Sequence, residues 1–386
     1  MLDARIAIVG GGLSGLYAAL LLERRGIKDT LLLEARDTFG GRIASAFFTG
    51  QASVDAGHAA GGIDRFDLGP AWFWPDYQPQ LQHLVRDFGL EGFEQFETGD
   101  MLVERSLHEP PMRVQGYANS PASVRLVGGM ETLIDALRHK LGATRVITGQ
   151  TVRRLRSTGQ CVELDSEGAS GGGTTWRVEH VLLALPPRLA EDRIEFSPAL
   201  PQALARQWRA TATWMASHAK FIALYDTPFW REQGLSGEAR STSGPLGEIH
   251  DASMPGGSAA LFGFFSVPAH ARLRVPADVL RTHCRAQLAR LFGPQAAMPR
   301  AEFIKDWAQD PYTATTADLD ATGQHAEPPA AAASSGPWCG RLTGIASEWS
   351  PQFPGYLAGA VDAAHRGVAA LPSPIQGQEG TRHPCT

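Results

Sequence analysis

At the start of the chain, short apolar runs alternate with a glycine-rich turn, which is typical of a βαβ unit. Residues 5–9 form an apolar run that predicts a buried parallel strand, and the turn at residues 10–15 (GGGLSG) follows at once. Residues 30–34 predict a second strand, which ends on the carboxylate of Glu34. A helix ended by Gly26 is predicted between the strands, because apolar residues recur there at helical spacing: Leu13, Leu16, Tyr17, Leu20 and Leu21.

The order strand, GxGxxG turn, helix, strand and acid predicts a dinucleotide-binding site. Gly10 allows the tight turn, Gly12 allows the backbone to approach a pyrophosphate, and Gly15 allows close packing of helix on strand. The first helical turn presents its backbone N–H groups to that pyrophosphate. Glu34 is placed to accept hydrogen bonds from ribose hydroxyls. The residues of the turn that we expect at the cofactor are Gly10, Gly12, Leu13, Ser14 and Gly15.

A second glycine pair follows the acid, in the segment EARDTFGGR at residues 34–42. It offers another close backbone approach and a guanidinium suited to phosphate, neither of which NAD enzymes need. The segment resembles the E-A-R-x-x-x-G-G-R signature of the flavin amine oxidase superfamily, which includes monoamine oxidases, polyamine oxidases, L-amino-acid oxidases and histone lysine demethylases. The resemblance implies an FAD cofactor, bound here by Glu34, Ala35, Arg36, Gly40, Gly41 and Arg42.

Two further segments continue the resemblance. Residues 67–72 (DLGPAW) resemble the family's D-x-G segment, where the backbone passes close to the flavin ring. Gly128-Gly129-Met130 opens a predicted helix that Gly142 ends, and it resembles the family's G-G-M return to the FAD domain. The implied contacts with the flavin are Gly69, Pro70, Ala71 and Trp72.

A series of strands is predicted after this helix. Apolar alternation places them at residues 145–148, 152–156, 161–164, 176–178 and 181–185, with a glycine-rich hairpin loop over residues 166–175. In the family, the residue that matches Val152 holds the adenine by its backbone. The strand before Pro186 returns beside the first strand of the chain.

A lysine inside an apolar strand is the first candidate catalytic residue. Residues 218–225 predict a strand that places Lys220 on the same face as Ile222 and Leu224. Such a lysine is costly unless its ammonium finds partners or its pKa falls, the alternative being an edge strand whose lysine reaches water. With Pro228-Phe-Trp, the segment resembles the amine oxidases' K-x-x-x-x-Y/F-x-x-x-F-W motif. The resemblance implies that Lys220 holds a water against flavin N5 and assists the reaction with O2.

Two C-terminal segments complete the resemblance. Residues 303–312 resemble the family's tryptophan segment before the substrate cavity, with Trp307 at the flavin. Residues 344–360 resemble A-G-x-E followed by G-Y-x-x-G-A, with Ser347 in place of the usual glycine. The resemblance implies that Glu348 lies beside the ribityl–phosphate region. It also implies that Tyr356 is a cage aromatic on the substrate side of the ring, the alternative being a plain core aromatic.

One family feature is missing. Monoamine oxidases carry a cysteine covalently linked to the flavin and then a tyrosine of the aromatic cage, at positions that ungapped spacing assigns to Thr316 and Ala317. FAD is therefore expected to be non-covalent. One cage wall is expected to be missing or supplied from elsewhere.

These patterns predict an α/β protein with a Rossmann-like FAD-binding domain of the GxGxxG type. A second, α+β substrate domain is expected to contain a mixed sheet. Residues 76–125 show little periodicity apart from a helical pattern at 80–89, and the family usually has a longer insertion there. Residues 321–337 predict a surface loop. The expected divisions are 1–75, 126–195 and 336–372 for the FAD domain, 76–125 and 196–335 for the substrate domain, and 373–386 for a tail.

Composition narrows the classes of protein. The net charge of −5 argues against nucleic acid as a partner. The four cysteines lie singly and the 12 histidines show no metal-ligand spacing, so neither a disulfide scaffold nor a metal site is expected. Residues 6–22 are uncharged and could pass for a signal peptide or a membrane span, but three consecutive glycines argue against both. No membrane contact and a cytoplasmic location are expected.

The predicted function is an FAD-dependent oxidase that oxidises a small amine to an imine and passes electrons to O2, giving H2O2, with Lys220 and Tyr356 as catalytic residues. One alternative is an FAD-dependent desaturase or dehydrogenase of a non-amine substrate, against which the lysine strand followed by Phe-Trp counts. Another is a flavin-binding protein without amine oxidase activity. The substrate and the oligomeric state stay open. Candidate substrate contacts are Glu91, Glu94 and Glu97 for a polyamine, and Trp72, Phe73 and Trp74 for an apolar wall or core packing.

Overall fold

Strands and helices alternate along the chain of this computed structural model, which describes residues 2–48, 53–55, 64–169, 171–320 and 327–372. The strands in chain order are β1 (Leu2–Asp3), β2 (Ile6–Val9), β3 (Thr30–Leu33), β4 (Ser45–Phe48), β5 (Ser53–Asp55), β6 (Arg65–Asp67), β7 (Gly92–Glu94), β8 (Asp100–Glu104), β9 (Met112–Val114), β10 (Val124–Leu126), β11 (Arg145–Ile147), β12 (Gln150–Ser157), β13 (Val162–Gly168), β14 (Gly173–Val178), β15 (His180–Leu183), β16 (Glu195–Ser197), β17 (Ala219–Tyr225), β18 (Leu235–Ser241), β19 (Leu246–Asp251), β20 (Ala259–Phe265), β21 (Ala301–Asp306) and β22 (Leu342–Gly344). The α-helices are α1 (Leu13–Arg24), α2 (Pro79–Asp87), α3 (Glu131–Lys140), α4 (Pro187–Arg193), α5 (Gln202–Ala210), α6 (Phe229–Glu232), α7 (Ala269–Arg272), α8 (Ala277–Phe292) and α9 (Leu357–Ala369). Short 3-10 helices lie at Pro294–Ala297, Trp307–Gln309, Thr316–Asp318 and Ser347–Trp349.

The chain divides into two units, each assembled from separate stretches. Unit 1 comprises Met1–Gly41, Ile134–Trp214 and Gly323–Thr386, and unit 2 comprises Arg42–Leu133 and Met215–Thr322. These units are divided differently from the predicted domains, since residues 42–75 fall in unit 2. The reason is that Ala46 and Phe66 pack in one apolar cluster with Ile222 of β17. The predicted extent of the FAD domain concerns cofactor binding and stays a prediction.

A five-stranded parallel sheet forms the centre of unit 1, in the order β11-β3-β2-β15-β22. All residues of β2, β3 and β15 are buried, as expected for parallel strands covered on both faces. Strand β15 pairs with β2, with Leu182 opposite Ile8. This pairing confirms that the strand before Pro186 returns beside the first strand.

The helix predicted after the glycine turn is α1, and it ends as its sequence requires. Gly26 has a φ of +77°, which a glycine adopts without strain. The Ile27 amide donates to Leu22 O at 2.9 Å and the Gly26 amide to Glu23 O at 2.9 Å, the two bonds of a Schellman cap. The uncharged stretch at residues 6–22 is thus a strand, a turn and most of a helix.

The second sheet of unit 1, β1-β14-β13-β12-β16, corrects one prediction. The hairpin expected around residues 166–175 is present, but its loop is shorter than predicted, because β13 continues to Gly168 and β14 begins at Gly173. Cross-strand pairing overrides the weak strand propensity of these polar residues, with Ser166 opposite Thr174. The Ser166 hydroxyl also accepts a hydrogen bond from Trp176 Nε1 at 3.0 Å.

Unit 2 is built on a seven-stranded mixed sheet, β21-β17-β20-β19-β18-β8-β9, in which only the β18–β8 pair is parallel. Strand β17 lies between β20 and β21, and all of its residues are buried. The alternative that Lys220 lies on an edge strand and reaches water is therefore excluded. Phe221 and Tyr225 face a core shared with Leu288 of α8, and burying each such aromatic contributes about 2 kcal/mol.

Residues 76–125 contain α2 and four short strands, β7 to β10. The weak sequence pattern of β9 reflects exposure, since all of its residues are exposed. Residues 327–337 hold no helix or strand, while the predicted tail at 373–386 lies outside the described residues. Over the described ranges, no helix has the length and apolarity to cross a membrane. Nor do the histidines, cysteines and acids described there form a group of three that could hold a metal ion.

Candidate active site

The glycine turn of unit 1 is shaped by close backbone packing. A Cβ on Gly15 would lie 1.9 Å from Gly10 O, so only glycine fits at the start of α1. Gly10 has a φ of +109°, which residues that carry a side chain rarely adopt. Among the described residues, the nearest atom that a Cβ on Gly12 would meet is Gly40 O, at 3.6 Å. The turn is therefore tight behind Gly15, while a Cβ on Gly12 would make ordinary van der Waals contact with Gly40.

The N-terminus of α1 fits a diphosphate. Its N-cap is Gly12, which has no side chain to accept the first amides, and its first turn contains no acid. The hydroxyl of Ser14 donates to Ile345 O. Backbone N–H groups at such a helix end attract an anion.

Glu34 fastens the turn to the end of β3. Its side chain is buried, and Oε2 accepts from the Gly11 amide at 2.6 Å while Oε1 accepts from the Arg36 amide at 2.8 Å. A carboxylate has about four acceptor positions, so two remain for ribose hydroxyls. The Gly40 amide donates to Gly11 O at 3.0 Å, which brings the second glycine pair to the turn.

Other predicted cofactor residues of unit 1 lie near these segments. The Gln150 amide donates to Glu34 O at 2.8 Å, so the strand that carries Val152 is attached to the acid. Glu348 is buried, in a 3-10 helix, and its Oε2 accepts from Ser347 Oγ at 3.0 Å.

Tyr356 has an aromatic neighbour that sequence reasoning missed. The rings of Tyr356 and Trp214 have centroids 6.3 Å apart and planes tilted by 35°. A Cβ on Gly355 would lie 2.6 Å from Trp214 Cβ, so the glycine before Tyr356 lets this pair form. Met215, next to Trp214, has a φ of +63°, the only positive φ of a non-glycine residue in the described chain. Thr316 and Ala317 are exposed in a 3-10 helix of unit 2 and supply no ring.

Lys220 is enclosed in unit 2. Its side chain is 2% exposed, and Nζ donates to Asp67 O at 2.9 Å and to Gly69 O at 2.7 Å. Nζ also lies 4.4 Å and 5.3 Å from the ring centroids of Phe262 and Phe264. Two carbonyls and two ring faces therefore stabilise the ammonium form.

The environment of Lys220 lowers its pKa to about 7, mainly by burial. The charge of Asp67 acts in the opposite direction and that of Arg125 in the same direction as burial. At neutral pH the group can therefore exchange a proton readily, which an ordinary lysine cannot.

Trp307 holds the same segment as Lys220. Its indole Nε1 donates to Leu68 O at 3.1 Å, and the ring is buried. A Cβ on Gly69 would lie 3.5 Å from this ring and 1.9 Å from Arg42 O. The predicted residues Arg42, Gly69, Lys220 and Trp307 are thus brought together in unit 2.

The aromatic stretch after this segment has mixed roles. The ring centroid of Trp72 lies 5.0 Å from that of His250 and 5.3 Å from that of Phe262, on the sheet face that carries Lys220. Phe73 is a core residue. Of the candidate polyamine contacts, Glu91 and Glu94 are exposed. Glu97 accepts hydrogen bonds from Asn119.

Two buried charges were also missed by sequence reasoning. Asp67 appeared only as part of the D-x-G segment, and Arg125 was not singled out. Both side chains are buried in unit 2. A charged residue inside the apolar run VRLV at 124–127 is the pattern that could have indicated Arg125.

The fold and these residues define an α/β oxidoreductase with a dinucleotide-binding turn, and comparison with known proteins specifies the family. The family model for flavin containing amine oxidoreductases matches residues 104–371, and that for NAD(P)-binding Rossmann-like domains matches residues 8–88. The chain belongs to the flavin containing amine oxidoreductase family. It is an oxidoreductase, and its cofactor is a flavin.

Relatives agree with this assignment. The chain is 26% identical over 460 aligned residues to a probable flavin-containing monoamine oxidase A of Dictyostelium discoideum, covering 94% of this chain and 96% of that protein. It is 30% identical over 276 residues to a putative flavin-containing monoamine oxidase of Mycobacterium tuberculosis, covering 67% of this chain and 54% of that protein.

Solved structures show the same fold. Putrescine oxidase bound to putrescine superposes with a TM-score of 0.76 at 21% identity, covering 95% of this chain and 98% of the other. Cyclohexylamine oxidase from Brevibacterium oxydans superposes with a TM-score of 0.75 at 20% identity and the same coverage.

Proposed function

We propose that the protein is an FAD-dependent amine oxidase that oxidises the C–N bond of a small amine and uses O2 as electron acceptor. The amine loses a hydride from its α-carbon and a proton from its nitrogen, so amine and O2 become imine and H2O2. Bound FAD supplies the hydride acceptor at N5 and the route to O2. The observation that carries the proposal is the buried Lys220, bound to carbonyls 67 and 69 in a chain of this family.

We propose that unit 1 holds the nucleotide part of FAD. The first amides of α1 bind the diphosphate, Glu34 accepts from ribose hydroxyls, and the backbone of Val152 contacts the adenine. Glu348 lies beside the ribityl–phosphate region. The N-terminus of α1, which has no side-chain cap and no acid in its first turn, supports this assignment. The remaining members of the set are Gly10, Leu13, Ser14, Gly15, Ala35, Arg36, Gly40 and Gly41.

In unit 2, the proposed flavin contacts are Arg42, Gly69, Pro70, Ala71, Trp72 and Trp307. Binding is non-covalent, since Thr316, at the position of the monoamine oxidase cysteine, carries no thiol and is exposed. Acid precipitation should therefore release the whole flavin, and mass spectrometry should find it as intact FAD.

Lys220 and Tyr356 are the proposed catalytic residues. Lys220 holds a water for the reaction with O2 and exchanges its proton, because its pKa lies near 7. Tyr356 orients the amine together with Trp214, whose ring lies 6.3 Å away. The close approach of these two rings supports Trp214 as the aromatic residue that replaces the missing tyrosine.

The test is an anaerobic titration of the purified protein with amines and amino acids, in which the flavin absorbance is monitored. Bleaching by one class of amine supports amine oxidation and identifies the substrate class, and admission of O2 should then restore the colour with stoichiometric H2O2. A stable flavin spectrum with no bleaching by any amine contradicts the proposal and favours a non-amine substrate or a binding protein. If the protein is purified without flavin and also fails to bind added FAD, the cofactor assignment is contradicted.

A further inference from the structure

An ion pair is buried at the end of strand β21, in unit 2. Arg272 of α7 and Asp306, the last residue of β21, have side chains that are 2% and 6% exposed. Replacing a buried ion pair by apolar residues is often neutral or stabilising, so stability alone does not explain this pair. Unlike an apolar side chain, a planar guanidinium holds several acceptors in fixed directions, which points to a role in geometry.

The two side chains form two parallel hydrogen bonds. Arg272 Nε donates to Asp306 Oδ2 at 3.0 Å, and Nη2 donates to Oδ1 at 2.8 Å. A contact at two points fixes the relative orientation of the two groups as well as their distance. The last residue of β21 is therefore held in one orientation against α7.

The guanidinium of Arg272 also binds two other chain segments. Nη2 donates to Ser217 O at 2.7 Å, and Nη1 donates to Val267 O at 2.5 Å. Ser217 lies two residues before β17, and Val267 lies two residues after β20. Because β20 and β21 both run antiparallel to β17, these three strand ends lie at one end of the sheet. Arg272 connects all three of them.

Asp306 extends this contact to Trp307. Its Oδ1 also accepts from the Ala308 amide at 3.1 Å, which caps the 3-10 helix that Trp307 begins. The Trp307 amide donates to His218 O at 3.0 Å. The backbone of Trp307 is therefore fixed by the capped turn on one side and by the segment before β17 on the other.

The ion pair adjoins the two side chains that bind the carbonyls of residues 67–69. Trp307 binds carbonyl 68, and Lys220 binds carbonyls 67 and 69. Ala219, the neighbour of Lys220, is opposite Asp306 in the β17–β21 register. A movement at the ion pair would therefore reach both side chains through a short stretch of backbone.

We propose that Arg272 and Asp306 are positioning residues that fix Trp307 and the start of β17, and through them the segment at residues 67–69. Neither residue belongs to the proposed contacts with amine or flavin, and both act through Trp307 and Lys220. The effect on the reaction rests on the proposed function of these two residues. The effect on the hydrogen bond of Trp307 does not.

Hydrogen exchange of the Trp307 indole measures this positioning directly. The indole N–H is buried and bound to Leu68 O, so it exchanges with solvent only when the segment opens. The full-length protein, as purified with its flavin, is labelled with ¹⁵N-tryptophan, and Trp307→Phe assigns the NMR signal by its loss. The Trp338 indole, which donates to Pro198 O at 2.8 Å in unit 1, is the internal reference.

Arg272→Lys is the first variant. It keeps a cation beside Asp306 but loses the planar fork that also binds Ser217 O. Exchange of the Trp307 indole should accelerate by about tenfold, as expected when a hydrogen bond to a charged group is lost. Exchange of the Trp338 indole should stay at the wild-type rate.

Arg290→Lys is the matched control, because Arg290 has the same pattern of donors elsewhere in unit 2. Its Nε and Nη2 donate to the two carboxylate oxygens of Glu104, and Nη2 also donates to Ser243 O at 2.8 Å. Glu104 is the last residue of β8. Exchange of the Trp307 indole should keep its wild-type rate in this variant.

Asp306→Asn is the second variant, and it decides the question if Arg272→Lys does not fold. It keeps an acceptor for the Ala308 amide but removes the charge that the guanidinium binds. The same acceleration is expected at Trp307, and Glu104→Gln is the control.

Two results would overturn the proposal. One is an unchanged exchange rate at Trp307 in a folded variant. The other is acceleration that includes the Trp338 signal or is equal in the matched controls, because it would show a general loss of stability.

The reaction of reduced enzyme with O2 provides a second readout. Arg272→Lys should slow it by about tenfold, and the same substitution should have less effect in a Trp307→Phe background, where positioning through the indole is already lost. Accelerated exchange with unchanged rates would support the positioning inference and contradict the proposed roles of Trp307 and Lys220. Unchanged exchange would overturn the inference and leave the proposed amine oxidase function intact.

Discussion

Trp307 donates its indole hydrogen bond to the carbonyl of Leu68, between the two carbonyls that accept from Lys220. Carbonyls 67, 68 and 69 are therefore all bound by side chains from β17 and from the 3-10 helix after β21. A segment held at three consecutive positions cannot shift without breaking buried hydrogen bonds. This rigidity is suited to a stretch of backbone expected to pass close to a flavin.

Trp307→Phe should loosen this segment. The variant leaves a buried carbonyl unsatisfied, so we expect a loss of about 1–3 kcal/mol in the free energy of unfolding and amine oxidation slowed about tenfold. Trp338→Phe is the matched control, because the Trp338 indole donates to Pro198 O at 2.8 Å in unit 1. Urea unfolding should show similar losses, with activity lowered only in the first variant. Equal activity in both variants would contradict a role in catalysis for the Trp307 hydrogen bond to Leu68 O.

Lys220→Met should separate the two halves of the catalytic cycle. A group that exchanges a proton typically contributes 10²–10⁴-fold, so reoxidation of the reduced enzyme by O2 should slow by about 100-fold. Anaerobic reduction by amine should change only a few-fold. Lys305→Met removes the neighbouring cross-strand lysine and should leave reoxidation within a few-fold of the wild type. Stopped-flow absorbance measures both steps, and unchanged reoxidation in Lys220→Met would eliminate the proposed role.

Gly15→Ala should abolish flavin binding. The new Cβ would lie 1.9 Å from Gly10 O, so α1 must move away from the turn, at a cost of about 1–3 kcal/mol or more. Gly142→Ala is the control, because a Cβ there meets no described atom within 4 Å. The flavin-to-protein absorbance ratio after purification measures the effect. A wild-type ratio in Gly15→Ala would argue against the proposal that the glycine turn binds the flavin cofactor.

Trp214→Ala should lower the catalytic efficiency with amines. Removing one of the two neighbouring rings takes away a wall that orients the substrate, and we expect kcat/KM to fall about tenfold, as in Tyr356→Ala. Tyr77→Ala, at a ring that is 64% exposed, serves as the control. If Trp214→Ala matches the control across the amine panel, the residue is a core aromatic and the missing cage wall lies elsewhere.

His180 should make stability depend on pH. Burial lowers its pKa to about 4, with Arg341 acting in the same direction and the Gly340 carbonyl opposing. Below pH 6.5 the unfolded chain binds a proton that the folded chain does not bind until about pH 4. The contribution of His180 is therefore complete above pH 6.5 and falls on acidification, by roughly 3 kcal/mol at pH 4.

His180→Gln should lose less stability between pH 6.5 and 4 than the wild type does. The exposed His108 provides the control substitution, His108→Gln, with a wild-type pH profile. Urea unfolding midpoints at each pH measure the difference. Parallel profiles for His180→Gln and wild type would show that folding does not lower the pKa of His180.

Much of the nucleotide site could be predicted from sequence because its parts are local. Gly10, Gly15 and Gly26 act within a few residues of their own positions, and their backbone geometry follows from lacking a side chain. The pairing of β15 with β2 was implied by the family resemblance, and the structure confirms it. Strand periodicity alone placed Lys220 on an apolar face.

Other features depended on residues distant in the chain. The hairpin loop at 166–175 was predicted too long because the segment is rich in glycine, but pairing with the opposite strand completes the backbone hydrogen bonds at its two ends. Ring contact between Trp214 and Tyr356 has no pattern in the sequence.

The sequence by itself determined the βαβ unit and the apolar face that carries Lys220, because both depend on local spacing and hydrophobic alternation. The flavin family followed from the resemblance of its motifs to those of known proteins. Only the tertiary structure decided that β17 is interior to its sheet and that the Lys220 ammonium binds the carbonyls of residues 67 and 69. The physical reason is that sheet order and buried electrostatics arise from contacts between distant segments. Their energies depend on distance and on exclusion of water, neither of which the order of residues specifies.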